Sequence, residues 1–372
     1  MAAFVAAIFI PPYFKNTPTL PKTPDIDFTY PNNWRAPEYT HSSFKMQTTN
    51  LPCPEADSTL QYIDPLPVIL ERAKKAQIVM INESHFKPIH RAFIGKISTY
   101  LHDQGFTHFG SELLHQDDIS QLERTQSDPT VKYLLDSGYA GYTDDPIYGH
   151  MIEGLAKTGF SFFSYEEDIS NPPAGTIDSV TYRDSLSAQN IDAYMKRFPN
   201  QKFIIHAGYN HVKEYNTGSR SQWMAEQFKS LSGINPLTIS QTECRGVKYF
   251  NDNFMGYGLL ADQDGVPISS DGYDLILAAS AETYFHERPL WLRDLLGRKF
   301  VDLPKEAKFD GETDFTLIKA KNVDRADNAL PEDIIYRPPY SDKVLALRPG
   351  HYKLEISDRN KDIISNSEIV VK

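Results

Sequence analysis

Carboxylates and imidazoles follow four apolar segments of this chain, close to the point where each segment ends. They are Glu83, His85 and His90 after the first segment, Glu112 after the second, Glu166 after the third, and His206 and His211 at or after the fourth. Such groups transfer protons in general acid–base catalysis or bind hard to borderline metal ions. A single one of them would suggest a solvated loop residue or a core histidine. Their recurrence after four segments predicts a shared site.

The apolar segments are predicted to be strands of a largely parallel sheet. Continuous apolar runs alternate with helical patterns, which is typical of a sheet covered by helices on both faces. Strands are predicted at 78–83, 107–113, 160–165, 202–206, 237–241 and 274–279, and helices at 65–76, 88–104, 179–197 and 221–231, with a more helical stretch over 117–158. Ligands bind beyond the carboxyl ends of the strands in such sheets. The four groups of polar residues are therefore expected at one edge.

The predicted fold class is α/β, with a small antiparallel β extension at the C-terminal end. Residues 1–57 are predicted to be a Pro-rich leader, residues 58–300 an α/β domain of catalytic type, and residues 301–372 a β-rich extension. The extension is indicated by shorter apolar runs that are separated by turn residues.

Composition and the N-terminus narrow the class of protein. The net charge of −11 argues against a nucleic-acid partner, because phosphate contacts need clustered lysine and arginine. The first ten residues are apolar but too few to span a bilayer, and no later stretch is long enough. They fit either the core of a secretory signal or a loose N-terminal segment. Of these two interpretations, the secretory signal is slightly favoured, which predicts an exported bacterial protein rather than a cytoplasmic one. Cys53 and Cys244 form either one disulfide or two unrelated thiols.

Three further patterns are interpreted as structural rather than chemical. His150 and Glu153 share one helix face, where a solvated face is the better interpretation than a metal pair. The acidic stretches at 262–265 and 271–274 lack the full spacing of a calcium loop and are interpreted as turns. No nucleophile elbow surrounds Ser111.

Four blocks of the sequence resemble the Tiki/ChaN-like superfamily, which includes the erythromycin esterase-like hydrolases. The blocks are INESH at 81–85 with PIH at 88–90, FGSELL at 109–114, YRDSLSAQNI at 182–191, and FIIHAGYNHV at 203–212. They occur in the family's order over roughly residues 75 to 245. Two positions depart from the family pattern. Asn82 stands where glycine is usual, which could alter the turn that presents Glu83, and Ser187 stands where methionine is common.

The resemblance implies roles for individual residues. His85, Glu83, Glu112 and His211 would be the catalytic set, with Arg183 and Asp184 beside them and His90, His206 and Glu166 in binding or supporting positions. In esterase-like members a histidine activates water, which implies His85 as the base, Glu112 or Glu83 as its orienting carboxylate, and His211 near the substrate carbonyl. Tiki-like members imply a divalent metal at His85, Glu112 and His211, and ChaN-like members imply haem.

Three function classes remain open at this stage. The first is a hydrolase that acts on an ester, lactone or amide of a small molecule, assisted by a metal or not. The second is a non-catalytic protein that binds haem or an iron complex. The third is a binding or structural protein whose site has decayed, for which Asn82 is the main indication.

Overall fold

The computed structural model describes most of the chain after residue 58. The described residues are 59–85, 87–114, 116, 119–120, 122–123, 145–166, 178–215, 222–244, 256–270, 272–279, 283–304, 316–325, 329–337, 341–358 and 362–372. The Pro-rich leader through residue 57, Cys53, and residues 124–144 of the predicted helical stretch lie outside them. Cys244 is disulfide-bonded. Among the described residues, no helix is both long and apolar enough to cross a membrane.

An eight-stranded, mostly parallel sheet forms the centre of the protein. Its strands are β1 (Leu60–Ile63), β2 (Ile78–Glu83), β3 (Phe106–Ser111), β4 (Ser161–Phe163), β5 (Lys202–Gly208), β6 (Leu237–Ser240), β7 (Tyr257–Asp262) and β8 (Leu275–Ala279). The spatial order is β1-β7-β8-β6-β2-β5-β3-β4. All neighbours from β8 to β4 are parallel, whereas β1 and β7 pair antiparallel at one edge. The predicted α/β class is confirmed, and the antiparallel edge is an addition to it.

Strand β2 shows why these segments form strands inside the sheet. All six of its residues are buried. Val79 and Ile81 pack into the core on one face, whereas Ile78 and Met80 pack into the core on the other. Both faces of the strand are therefore covered, and the hydrophobic run is continuous because neither face meets water. Glu83 continues the Val79 face by the same alternation.

Helices cover the sheet and begin at recognisable caps. They span Pro65–Ala73, Pro88–His102, Pro146–Thr158, Ser179–Arg197, Met224–Ser232 and Trp291–Asp294. Asp64, Asp145 and Asp178 accept a hydrogen bond from the backbone amide two residues later, which caps three of these helices. Proline follows the cap at Asp64 and Asp145, where its fixed φ suits the first position of a helix.

The C-terminal part is a small antiparallel assembly, as predicted. It contains β9 (Tyr284–Phe285), β10 (Arg288–Pro289), β11 (Lys299–Val301), β12 (Thr316–Asn322), β13 (Asp333–Arg337), β14 (Leu345–Leu347), β15 (Gly350–Ser357) and β16 (Ile363–Val371). Four of these strands form a sheet in the order β13-β12-β15-β16, and β11 pairs with β14. The sequence patterns did not predict β1, β7, β9, β10, β11 or β13. The boundary near residue 300 stays a prediction.

The interpretation of His150 and Glu153 as a solvated face is wrong. Both side chains are buried, with relative exposures of 7% and 8%. His150 Nε2 contacts the carbonyl of Pro331 at 3.0 Å and lies 3.6 Å from Glu332 Oε2. Arg348 binds both oxygens of Glu332 at 2.8 and 2.7 Å. These contacts explain why this helix face is polar: it forms a buried ion network with the C-terminal part.

This network predicts that two glutamates, each paired with a histidine, contribute very differently to the free energy of unfolding. Glu332→Ala should lower the free energy of unfolding by roughly 3–5 kcal/mol, because it leaves buried Arg298 without its carboxylate and removes one of the two carboxylates beside His150. Glu368→Ala removes a partner of His351 at a carboxylate that is 66% exposed. Its effect should stay within about 0.5 kcal/mol. Urea unfolding at pH 7 measures both, and equal losses would contradict the network's structural role.

Candidate functional site

The candidate site lies at the carboxyl ends of three adjacent strands, β2, β5 and β3. Register places Glu83 beside Gly208, and Ser111 beside His206. Glu112 follows β3 directly, and its amide donates to the carbonyl of His206 at 3.0 Å. A single 3₁₀ turn, Tyr209–Val212, follows β5 and carries His211. Parallel pairing therefore brings segments that are distant in sequence to one edge.

Glu83 and His85 form the first carboxylate–imidazole pair. Oε1 of Glu83 lies 2.7 Å from Nδ1 of His85. The Glu83 side chain has no exposed surface, whereas that of His85 is 16% exposed. Burial favours the neutral acid, but the nearby Arg91 and His206 outweigh it and keep the pKa of Glu83 well below its usual value. Glu83 is therefore an ionised acceptor that fixes the orientation of the His85 ring.

Arg91 compensates the buried charge of Glu83. Its Nε and Nη2 donate to the two carboxylate oxygens at 2.8 and 3.0 Å. Nη2 also donates to the carbonyl of His85 at 2.9 Å, and Nη1 binds the Asp145 carboxylate. Burial would lower the pKa of Arg91, but Glu83 and Asp145 raise it above its ordinary value. Arg91 is therefore a permanent cation between two buried acids.

Sequence reasoning missed Arg91 and recognised Asp145 only as a helix start. Arg91 directly follows His90 in the block at 88–90, but no spacing rule links it to a residue 54 positions away. Asp145 uses one carboxylate oxygen for the cap on Ile147 and the other for Arg91. The helix cap formed by Asp145 could be predicted from the sequence, whereas its contact with Arg91 could not.

Asp184 and His211 form a second carboxylate–imidazole pair. Oδ1 of Asp184 lies 2.7 Å from Nδ1 of His211, and Oδ2 accepts the amide of Met224 at 2.9 Å. The ring edge of His211 meets Trp223, with centroids 6.0 Å apart. Burial lowers the pKa of His211, but the hydrogen bond that His211 donates to Asp184 and the charge of Glu112 raise it above its ordinary value. This imidazole therefore keeps its proton to a higher pH than an unperturbed histidine does.

Glu112 lies between the two imidazoles. Its Oε2 is 4.0 Å from Nε2 of His85, and its Oε1 is 3.9 Å from Nε2 of His211. Arg183 Nη2 donates to Oε1, and the amide of Gly208 donates to Oε2, each at 2.5 Å. Burial raises the pKa of Glu112, but His211, His85 and Arg183 outweigh it and hold the value at about 2.

Arg183 links Glu112 to the outer acid of the site, Glu166. Its Nε donates to Oε2 of Glu166 at 2.7 Å, and Ser187 donates to Oε1 at 3.0 Å. Burial raises the pKa of Glu166 in spite of the nearby Arg183 charge. Ser187, the departure from the usual methionine, thus satisfies an acceptor of this carboxylate.

His90 and His206 lie behind the reactive groups rather than among them. Nδ1 of buried His90 accepts the amide of Ser84 at 2.9 Å, and burial keeps its pKa well below the ordinary value. His206 Nδ1 contacts Ser111 Oγ at 3.1 Å, while Nε2 lies 3.0 Å from Glu83 without the alignment of a hydrogen bond. Both imidazoles therefore support the strand ends that carry Glu83 and His85.

Asn82 fits its position without backbone strain. It lies inside β2, and its φ angle is not positive, so glycine is not required there. Its Nδ2 donates to the carbonyl of Tyr209 at 2.6 Å and to Thr242 Oγ1 at 2.9 Å, and its Oδ1 accepts the amide of Gln241 at 2.6 Å. The side chain therefore joins β2 to the two loops beside it, and Glu83 still reaches His85.

Strain is present instead at the start of the 3₁₀ turn. Tyr209 has a φ of 43°, in the left-handed region that a non-glycine residue rarely adopts. Such conformations cluster at functional sites, where the surrounding structure enforces them. Here Asn82 binds the carbonyl of Tyr209, and the Tyr209 ring meets His85 edge-on at 5.3 Å. The preceding Gly208 lies so close that an added Cβ would be 2.4 Å from His85 Nε2.

The residues do not fit the metal or haem that the resemblance implies. Within the described part of the chain, no three acidic, histidine or cysteine side chains are arranged to hold a metal ion. Arg183 donates to Glu112 and places a positive charge beside the carboxylate, which opposes the binding of a metal cation there. The distances of 4.0 and 3.9 Å from Glu112 to the two Nε2 atoms leave room for a water molecule between the groups, but they are too short for a haem ring to lie there.

The comparisons with known proteins give weak structural neighbours. No protein-family model and no curated protein matches the sequence. The type III effector HopBA1 is 14% identical with a TM-score of 0.36, covering 60% of this chain and 99% of its own. ChaN of Campylobacter jejuni, described with cofacial haem binding, is 12% identical with a TM-score of 0.36, covering 59% and 94%. A Bacillus cereus protein is 9% identical with a TM-score of 0.36, covering 60% and 95%.

The close approach of Gly208 to His85 gives a direct test of the site's geometry. Gly208→Ala should displace the His85 ring and change the NMR chemical shifts of its ring protons, because the new Cβ would lie 2.4 Å from Nε2. Gly154→Ala is the control, since its Cβ would meet nothing within 4 Å and should leave those chemical shifts unchanged. Unchanged His85 chemical shifts in a folded Gly208→Ala protein would contradict the packing.

The low pKa of Glu112 predicts a pH-dependent contribution to stability. A carboxylate whose folded pKa is about 2, against an ordinary value of 4.5, stabilises the protein above the unfolded pKa, and this stability is lost as the pH falls. The shift corresponds to about 3 kcal/mol at neutral pH. The gap in unfolding free energy between the wild type and Glu112→Gln should therefore close progressively as the pH falls from about 5 to about 2 in urea titrations. A gap that stays constant would show that Glu112 is not held in its charged form.

Proposed function

We propose that this protein is a hydrolase of an ester, lactone or amide bond in a small-molecule substrate. One observation carries the proposal. Two imidazoles, each with Nδ1 at 2.7 Å from a buried carboxylate, direct Nε2 toward the same ionised Glu112 at 4.0 and 3.9 Å. A carboxylate on Nδ1 fixes the ring and the proton so that Nε2 is the reactive nitrogen.

His85 is the general base in this proposal. Because Glu83 accepts the Nδ1 proton, Nε2 of neutral His85 carries a lone pair. The 4.0 Å separation from Glu112 Oε2 allows one water molecule to hydrogen-bond to both groups. His85 removes a proton from this water as its oxygen attacks the carbonyl carbon, and later transfers the proton to the leaving alcohol or amine. The products are the carboxylic acid and the leaving group.

His211 and Glu112 have complementary roles. The pKa of His211 is raised, so its protonated Nε2 can donate to the substrate carbonyl as negative charge develops on the oxygen. Glu112 positions the water, and Arg183 and the Gly208 amide restrict the carboxylate to one orientation. Of the two candidates to orient His85, Glu83 has the direct hydrogen bond, and Glu112 lies on the opposite nitrogen.

The sequence resemblance to the Tiki/ChaN-like superfamily supports this proposal beside the geometry. Membership of that group, and with it an exported location and the division at residues 57 and 300, belongs to the same proposal. The haem-binding alternative is less well supported, because both Nε2 atoms face a carboxylate at about 4 Å. The interpretation of a decayed site loses its main indication, because Asn82 fits without strain.

A panel of small esters, lactones and amides tests the proposal. His85→Ala should lower kcat by about 10²–10⁴-fold, as expected for the loss of a general base. His211→Ala should lower kcat by about 10²–10³-fold through the lost oxyanion contact. His351→Ala, which changes a histidine with 42% exposure on β15, is the matched control and should leave turnover unchanged.

Two results would overturn the assignment. Turnover that survives His85→Ala would remove the base from the mechanism. If the panel gives no turnover and haemin instead produces a Soret shift that is lost in His85→Ala or His211→Ala, then the binding alternative is correct.

A further inference from the structure

A second cavity, of about 270 Å³, lies apart from the three strand ends that form the candidate site. It is enclosed by the helices Pro88–His102 and Pro146–Thr158 and by the segment around Leu295. Its apolar lining consists of Ala92, Ile147, Met151, Leu155, Leu295 and Leu296. Lys96, Thr99 and Gly154 are exposed, so they form its mouth. The cavity is therefore an apolar space that opens to solvent.

The polar part of the lining contains cationic side chains although the chain carries a net charge of −11. Lys96, Arg91, Arg298 and Arg348 contribute to the wall with the imidazole of His150, and no aspartate or glutamate is among the described residues that line it. Carboxylates outside the lining compensate the arginines, since Glu83 and Asp145 bind Arg91, and Glu332 pairs with Arg298 and Arg348. Arg348 is nevertheless 49% exposed, so it and Lys96 are the cations nearest to solvent.

These two cations keep donors available for a ligand. The ammonium of Lys96 lies 5.7 Å from the ring centroid of Tyr100, and no carboxylate of the described residues pairs with it. Arg348 uses Nε and Nη2 for Glu332, and its side chain is 49% exposed. Its Nη1 has no partner among the described residues. An anionic group at the mouth would meet Lys96 and this nitrogen.

We propose that this cavity binds a single-chain anionic amphiphile, a medium-chain carboxylate, with its tail between the two helices and its carboxylate at Lys96 and Arg348. Size limits the ligand. A cavity of about 150 Å³ holds benzene, so one of about 270 Å³ holds roughly ten non-hydrogen atoms. Octanoate has that size, whereas a two-chain lipid is excluded. Of the lining residues, Arg91 also binds Glu83 in the candidate site, but the proposal does not depend on the proposed hydrolysis.

Octanoate is the probe, and isothermal titration calorimetry on the full chain at millimolar ligand is the measurement. We expect saturable binding that is at least tenfold tighter than that of octan-1-ol, which has the tail without the charge. Butyrate, which has the charge with a short tail, should also bind at least tenfold more weakly, because it leaves most of the apolar space unfilled.

Two variants locate the site. Gly154→Leu places a side chain in open space beside the cavity and should remove detectable binding. Lys96→Glu reverses the charge at the mouth and should weaken octanoate about tenfold or more without changing octan-1-ol. Lys74→Glu is the matched control, because Lys74 is 61% exposed, lies outside the cavity lining and should leave octanoate affinity unchanged.

The calorimetry distinguishes a specific site from non-specific binding. Loss of octanoate binding in Lys96→Glu with retention in Lys74→Glu supports the site even if Gly154→Leu does not fold. The absence of saturable binding, equal affinity for octanoate and octan-1-ol, or equal weakening in both lysine variants would overturn it.

Discussion

The buried carboxylate of Glu83 constrains the packing of every element around it. An ionised acid without exposed surface must be compensated by charge and hydrogen bonds, or it would take up a proton. Arg91 donates two hydrogen bonds to the carboxylate, and Nδ1 of His85 lies 2.7 Å from its Oε1. The helix Pro88–His102 must therefore pack against the end of β2, since only that packing brings Arg91 to Glu83.

The charge of Arg91 is in turn compensated by a second buried acid. Its remaining nitrogen binds Asp145, whose other oxygen caps the helix Pro146–Thr158. The same helix carries His150 and Glu153, which join the ion network of Arg325, Arg348 and Glu332 in the C-terminal part. The helix thus takes part in two groups of charge pairs, one at the candidate site and one in the antiparallel extension. The carboxylates of both groups are buried, although Arg348 is 49% exposed, and the removal of a buried carboxylate's partner would leave its charge without a counterion.

The two imidazoles of the candidate site have matching surroundings. Glu112 lies within 4.0 Å of both Nε2 atoms, and each Nδ1 has a carboxylate of its own, Glu83 for His85 and Asp184 for His211. In the proposed reaction, one ring acts as the base and the other donates a hydrogen bond to the substrate. Close packing restricts the His85 ring, because a Cβ added at Gly208 would lie 2.4 Å from its Nε2 and the strained Tyr209 meets the ring edge-on.

The amino-acid sequence alone was enough to predict the parallel strands, most helix starts and the residues at the strand ends. This succeeded because burial on both faces leaves a continuous apolar run, and because the carboxyl ends of parallel strands share one edge. It could not assign Arg91 to Glu83, the burial of His150, or the contacts that His90 makes with Ser84 and His206 with Ser111. Those are contacts between side chains that are remote in the chain, and no local period encodes them. Which imidazole faces Glu112 and which supports the backbone was settled by tertiary packing, because that choice depends on which way each ring points once the strands pair.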